Sequence, residues 1–466
     1  MTGKAKLSEK IGYGLGDMSS SMFWKIFSYY LPFFYSNVFG LSLAHAGTLL
    51  LITKLYDAFS DPVMGMIADR TNTRWGRYRP YLLWCAVPFA LAGILTFTTP
   101  DAGYGFKLAY AYVSYIIMMT AYTAINVPYG AMLGVLTPDS REKTVFSSFR
   151  MFFAYAGSFI ALAIFEPLQD LFAGISPDAA ISDTWQYTMT VVGTICAILF
   201  ILCFLMTRER VRLPVRPKEE KTSILKDFRS LITNGPWWIL LAAAIGILLF
   251  NSIRGGAAAY YFKDVIGDNA LFSCGIFLAV GEIANMAGVA LAVPLSDRIG
   301  KKASYISALA AAGILSISIA FIPVSPAGMW SLLGLQILIS IATGVTLPLL
   351  WSMFADVADY SELKNGNAST GLIFSSSSMA QKFGGAFGSA LILWVLAAYG
   401  YNTSETAVQT ADALRGLKAM MSYIPSAGAF IAAVIVAFYP LTEKKMNDIS
   451  EALALKRGNT GNKLTE

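Results

Sequence analysis

The sequence predicts an all-α membrane protein that crosses the bilayer twelve times, and three observations carry that expectation. Apolar segments of about 20 residues recur along the whole chain, the length a helix needs to span hydrocarbon. Of the 466 residues, 56% are hydrophobic and only 14% charged, against about 25% charged in soluble domains. The lysines and arginines gather in alternate loops. Helices fit this pattern because every backbone polar group must be satisfied internally in lipid.

The spans read as about 11–39, 43–68, 80–99, 107–137, 144–167, 185–207, 236–262, 270–296, 302–324, 328–358, 368–399 and 414–441. Several exceed the bilayer requirement, so tilt or extension into water is expected. Lys4, Lys6 and Lys10 precede the first span, and basic residues return in every second loop, densest from Arg208 to Arg229. The positive-inside rule then places both termini in the cytoplasm. MTGKAKLSEK runs into the first span with no cleavage site and is expected to be retained.

The run from 208 to 235 is the one long charged interruption. It divides the chain into a six-helix half (1–207), a cytoplasmic linker (208–235), a second six-helix half (236–442) and a cytoplasmic tail (443–466). Within the linker, SILKDFRSLIT has the pattern of a short surface helix. An internal repeat supports the division. GMIADRTNTRWGR follows span two and AVPLSDRIGKK follows span eight, each placing Asp-Arg ahead of a glycine and a basic residue. Two-fold repetition is a plan of secondary transporters, with substrate held between the repeats.

Several classes are excluded or disfavoured. A net charge of +6 spread over short loops gives no nucleic-acid footprint. The four cysteines lie singly in apolar runs, and His45 is the one histidine, so neither disulfides nor a multi-histidine metal site is expected. With no phosphate-binding GxxxxGK[ST] loop either, the chain does not read as an enzyme.

Charges inside the spans carry the functional reading, because each costs about 2.5–3.5 kcal/mol on insertion scales. KLYDAFSDPVMG places Lys54, Asp57 and Asp61 in span two. Asp57 and Asp61 share a helix face, and Asp57 lies about 18 Å from Asp69 along the axis, near mid-bilayer. Aligning the repeats on Asp69 and Asp297 puts Asn285 opposite Asp57 and Val289 opposite Asp61. The carboxylates are therefore not needed to build the helix. Such a pair holds a proton or binds a cation, with hydroxyls from Ser60 and Thr123 as further oxygen ligands; the other reading is a structural bridge to Lys54. Lys25, Arg150, Arg254 and Lys382 are buried cations of opposite use, either contacting an anionic or hydroxyl-rich substrate or neutralising buried acids such as Glu282. Asp69, Arg70 and Arg77, with Asp297, Arg298, Asp356 and Asp359, read as an inner gate or as topology anchors.

YDAFSDPVMGMIADRTNTRWGRYRP, GYGLGD, NVPYG and DVADYSELKNG resemble the glycoside–pentoside–hexuronide:cation symporters, the family of melibiose permease, over nearly the whole chain. The resemblance implies a major-facilitator fold with two pseudo-symmetric halves and sugar uptake driven by Na⁺, H⁺ or Li⁺. It matches Asp57, Asp61 and Thr123 to the cation site, with Ser60 in place of an asparagine. It matches Arg150 to a sugar-site arginine and Lys382 to a lysine near both sites. Two sugar-binding aspartates are replaced, by Ser21 and Asn126, which turns the expectation from an α-galactoside toward a hexuronide or pentoside. The expected partners are thus a sugar or glycoside, a coupling cation (Na⁺ or H⁺, with no other cofactor) and membrane lipid, with a monomer as the default state. A lysolipid transporter of the same superfamily, a passive sugar uniporter and a sugar sensor are the competing readings.

Overall fold

The computed structural model describes residues 6–137, 140–210, 232–365, 370–404, 408–449 and 451–452. Most of the expected linker, residues 211–231, and most of the tail, residues 453–466, lie outside the described residues. So does all but the end of the expected surface helix. Among the described residues the secondary structure is helical, and the one extended pairing is an isolated bridge between Thr73 and Gly76.

The helices in chain order are α1 (Leu7–Tyr29), α2 (Leu31–Phe33), α3 (Leu43–Arg70), α4 (Arg79–Trp84), α5 (Ala86–Thr96), α6 (Tyr104–Leu136), α7 (Ser140–Ile175) and α8 (Ile181–Met206). They continue as α9 (Gly235–Tyr261), α10 (Cys274–Ile299), α11 (Lys301–Ser318), α12 (Pro326–Asn365), α13 (Thr370–Ala398), α14 (Ala411–Met421) and α15 (Tyr423–Ala437). Eight of the described helical segments are long and apolar enough to cross a membrane. The helix α3 is not among them, as expected of one carrying Lys54, Asp57 and Asp61. The third expected span is divided at Cys85 into α4 and α5, and the twelfth at Ser422 into α14 and α15. The helices α6 and α7 tolerate Pro128 and Pro167 in their interiors, as membrane helices commonly do.

The chain forms two compact units. One comprises residues 1–217, 255–283 and 389–417, the other 218–254, 284–388 and 418–466. In the first unit α1 packs against α7 and α8, and missing side chains make this contact possible. A Cβ on Gly157 of α7 would stand 2.4 Å from the Met18 carbonyl oxygen of α1, and one on Gly16 would stand 2.4 Å from the Tyr129 ring. With hydrogen in their place the backbones close up, as small residues allow in membrane bundles. An aromatic cluster fills the space further along, with Phe34 4.8 Å from Phe97, Trp185 5.5 Å from Phe34 and Tyr30 4.6 Å from Phe165.

The first unit also shows a repeat that the sequence reading did not register. FFYSNVFG (33–40) and YYFKDVIG (260–267) both end in a π-helical turn, Phe34–Val38 and Phe262–Ile266. A glycine of positive φ follows each, Gly40 at 83° one residue beyond the first turn and Gly267 at 52° directly after the second, a conformation open to glycine at no steric cost. Equivalent residues of the two turns meet one hydroxyl: Asn37 donates to Tyr401 at 3.2 Å, and Tyr401 donates to Asp264 at 2.5 Å. Ser36 and Tyr260 join the same cluster at 2.7 Å.

In the second unit α11 packs on α12 and α15. The helices α10 and α12 touch through glycines: a Cβ on Gly288 would meet the Ile341 carbonyl at 2.1 Å, and one on Gly344 the Asn285 carbonyl at 2.4 Å.

Gly157→Val is expected to destabilise the first unit by about 1–3 kcal/mol, the usual cost of overpacking, because the opposing atom is backbone and cannot rotate away. Thermal unfolding of the purified protein checks this, a melting temperature equal to wild type being the contrary result.

Candidate functional site

The first unit brings together the residues expected to hold a cation. Asp57, Ser60 and Asp61 lie on α3, and Thr123 faces them from α6. The Thr123 hydroxyl lies 2.7 Å from Asp57 Oδ1, 3.1 Å from Asp61 Oδ1 and 3.2 Å from the Ser60 hydroxyl. Ser60 also donates to the Asp57 carbonyl at 2.9 Å. Asp57 is only 2% exposed. A hydroxyl owns a single proton, so Thr123 donates to one carboxylate at a time while both crowd the same oxygen. Two carboxylates and two hydroxyls make a donor set of hard oxygens only, which suits a hard cation or a proton. No group of three or more His, Cys, Asp or Glu suited to a metal occurs among the described residues. Lys54, one turn before Asp57, is buried, donates to Ser389 at 2.9 Å and lies 5.6 Å from the centre of the Trp24 ring.

The second unit holds a neutral counterpart. Asn285, the residue the repeat aligns with Asp57, accepts a hydrogen bond from Thr343 of α12 at 3.2 Å. One arrangement, a helix-borne threonine on a side-chain oxygen of the neighbouring helix, thus occurs with charge in one unit and without charge in the other.

A second polar cluster in the first unit lies along α1. Arg150 of α7 pairs with Asp17 at 3.1 Å and sits 5.5 Å from the centre of the Tyr129 ring. Tyr129 is fixed by stacking on Tyr13 at 4.8 Å and by donating to the Tyr13 carbonyl at 2.6 Å. Asn126 of α6 bonds the Ser20 hydroxyl and donates to the Tyr122 carbonyl at 3.1 Å. The contact with Asn126 is thus made by Ser20, whereas Ser21 lies half-buried one position further on. Lys25 pairs with Glu282 at 2.6 Å and lies 3.3 Å from the Tyr29 hydroxyl. Arg254 and Lys382 belong to the second unit. There the buried Arg254 donates to Gln336 at 2.6 Å and sits 5.7 Å from the Phe250 ring centre, while Lys382 is half-buried on α13.

Asp17 is the residue the sequence reading missed. It closes the GYGLGD motif, and an acid within the first expected span was the available signal. The arginine it meets lies more than a hundred positions away, which is why the pairing was not legible.

The expected gate residues separate into two groups. In the first unit Arg70 is exposed at the end of α3, and the Asp69 side chain lies outside the description. The turn after it, with Gly76 at φ 119°, aims the backbone N–H groups of Arg77, Tyr78 and Arg79 at the carboxylate of Glu209, each at 2.8 Å. Successive N–H groups of this kind form an anion nest. Arg210 beside it pairs with Glu9 at 2.6 Å. Glu209 was hidden in the basic run that looked like a plain linker. In the second unit Asp297 and Arg298 are exposed, Asp359 is half-buried, and Lys301 pairs with Asp356 at 2.8 Å.

Residues 12–443 match the MFS/sugar transport protein family. The chain is 35% identical to a putative glycoside/cation symporter, YagG, of Escherichia coli (strain K12), over 98% of this chain and 96% of that one. It is 32% identical to an isoprimeverose transporter of Lactiplantibacillus pentosus (93% and 88% covered) and 29% identical to a glucuronide carrier protein homolog of E. coli (94% and 93%). The fold is similar to the crystal structure of the nucleoside transporter NupG, with a TM-score of 0.64 at 14% identity over 93% of this chain and all of that one.

Glu209→Ala is expected to lower stability by about 1.5–3 kcal/mol, the scale of a hydrogen bond to a charged group, since three N–H groups lose their acceptor. Chemical denaturation of the purified protein measures it, and an unchanged midpoint would contradict the role given to this carboxylate.

Proposed function

Because this chain belongs to the MFS/sugar transport protein family, we propose that it imports a sugar or glycoside by symport with a monovalent cation, Na⁺ or H⁺. Membership makes it a multi-pass membrane transporter and not an enzyme. The one observation that carries the coupling is the Thr123 hydroxyl shared by Asp57 and Asp61. A bound cation or proton relieves the repulsion between these carboxylates. Relief of that repulsion fixes α3 against α6 and organises the neighbouring face of α1. Asn285 on Thr343 supports a coupling role for the charge, because the same helix contact is built there without it.

In this reading Asp57, Asp61, Ser60 and Thr123 hold the cation. Arg150 is aimed by Asp17 and keeps further guanidinium donors for a substrate carboxylate or hydroxyls. Asn126, positioned by Ser20, supplies a neutral polar group where an acid would favour other sugars. This arrangement favours a hexuronide or pentoside over an α-galactoside, and the named glucuronide-carrier homolog is consistent with that choice. Two six-helix halves, joined through the 208–235 linker with both termini cytoplasmic, alternate access around the occupied site. Lys382 and Arg254 keep the substrate-contacting role expected of them. Coupling requires the cation to raise substrate affinity, and linkage requires the substrate to raise cation affinity by the same factor.

Uptake of labelled glucuronides, xylosides and galactosides into proteoliposomes, under imposed Na⁺ or pH gradients, tests the proposal. Accumulation is expected to collapse with the gradient and with Asp57→Asn. Gradient-independent equilibration unchanged by Asp57→Asn would mean a passive uniporter. Thr123→Val keeps the shape but removes the shared hydroxyl. It is expected to raise the half-saturating cation concentration about tenfold, equivalent to about 1.4 kcal/mol.

A further inference from the structure

The first unit contains a cavity of about 250 Å³ at the end of the helices away from the Glu209 turn. Its walls come from the end of α1 and from α2, α7, α8, α9 and the start of α10. Two faces are aromatic. Phe33 stacks parallel to Trp185 at 6.0 Å, with an interplanar angle of 20°, and Tyr30 stands edge-on to Trp185 at 6.2 Å. Polar groups converge between them. Tyr30 donates to Glu166 at 3.1 Å, and Lys263 lies 5.7 Å from the centre of the Phe33 ring. The Gln169 amide nitrogen is buried, with no hydrogen-bond partner among the described residues. Such a group costs free energy unless something pairs with it, so the cavity is unfinished on its polar side.

We propose that this cavity is an outer subsite for a single sugar ring, which the substrate occupies before it reaches the Arg150 region. The inference rests on the sugar-transport reading and on the orientation proposed above, which turns this end outward. The chemistry selects the ligand class. Aromatic faces cover the C–H face of a sugar ring. The Glu166 carboxylate has acceptor sites beyond the one Tyr30 fills, and Gln169 supplies a donor in need of an oxygen. A purely apolar guest would leave Glu166 and Gln169 desolvated, at a cost per polar group. An organic cation would share the cavity with the Lys263 ammonium. A uronide places its carboxylate toward that ammonium. The volume falls below the roughly 300–1,000 Å³ of sites for drug-sized ligands, and suits one ring better than a whole glycoside.

Saturation-transfer NMR on the full-length protein in nanodiscs tests the subsite, with methyl β-glucuronide and methyl β-xyloside as probes. Six proteins are compared: wild type, Arg150→Lys, Gln169→Ala, Ser273→Phe, and each of the last two combined with Arg150→Lys. Ser273 lines the cavity, and phenylalanine there fills it. Arg150→Lys is expected to abolish uptake while keeping at least half of the saturation transfer. Gln169→Ala and Ser273→Phe are each expected to raise the uptake KM three- to tenfold with little change in maximal rate. In the Arg150→Lys background each should remove the remaining signal. A signal that vanishes with Arg150→Lys alone, or that survives both cavity variants in that background, overturns the subsite. Wild-type uptake with no signal beyond the Arg150 site overturns the subsite and leaves the transporter standing. Failure of wild type to take up any sugar overturns both. Unfolding midpoints of the two cavity variants matching wild type make a changed KM a binding effect.

Discussion

An ionised group placed in a low-dielectric interior must find a partner, and this requirement organises the first unit. Asp57 and Asp61 meet Thr123, Arg150 meets Asp17, Lys25 meets Glu282, and Lys54 meets Ser389. Each contact joins segments distant in sequence, so the demand for partners also fixes which helices touch. The Asp57–Asp61 pair shares one neutral hydroxyl, which owns a single proton.

Close helix approach is what lets those partners meet. Arg150 reaches Asp17 because Gly157 and Gly16 leave no side chain between α1, α7 and the Tyr129 ring. In membrane bundles the gain from association comes from packing and hydrogen bonds, since lipid is as apolar as leucine. Small residues and buried polar pairs are therefore parts of one device: the first brings the backbones near, the second makes the nearness specific. The glycine contacts of Gly288 and Gly344 in the second unit follow the same logic, with Asn285 and Thr343 as the polar pair.

Two repeats also show how a duplicated plan diverges. The helix-to-helix contact of Asp57 with Thr123 in the first unit returns as Asn285 with Thr343 in the second, and within the first unit a π-turn followed by a glycine of positive φ occurs twice, before Gly40 and before Gly267. In both cases the backbone geometry is kept while the charge changes, from Asp57 to Asn285 and from Asn37 to Asp264. Backbone packing tolerates such exchanges because aspartate and asparagine are nearly isosteric. Chemistry does not, since only the carboxylate binds cations or protons strongly.

Apolar run length and the grouping of basic residues made the helical membrane class legible, and the motif around KLYDAFSDPVMG marked the candidate cation residues. These signals are local: hydropathy is summed over one helix, and Asp57, Ser60 and Asp61 share a face by spacing alone. The breaks at Cys85 and Ser422 were not legible, because apolar composition continues across them. Asp17 as partner of Arg150, Ser20 as partner of Asn126, Glu209 in its nest and the aromatic cavity at Trp185 were decided by the tertiary structure. Each depends on which residues far apart in the chain come within about 3 Å or share a wall. Helix packing sets those distances, and no local pattern encodes them. The sequence by itself determined that this is a helical transporter with charged residues in its membrane spans. Only the folded chain decided which groups those residues face.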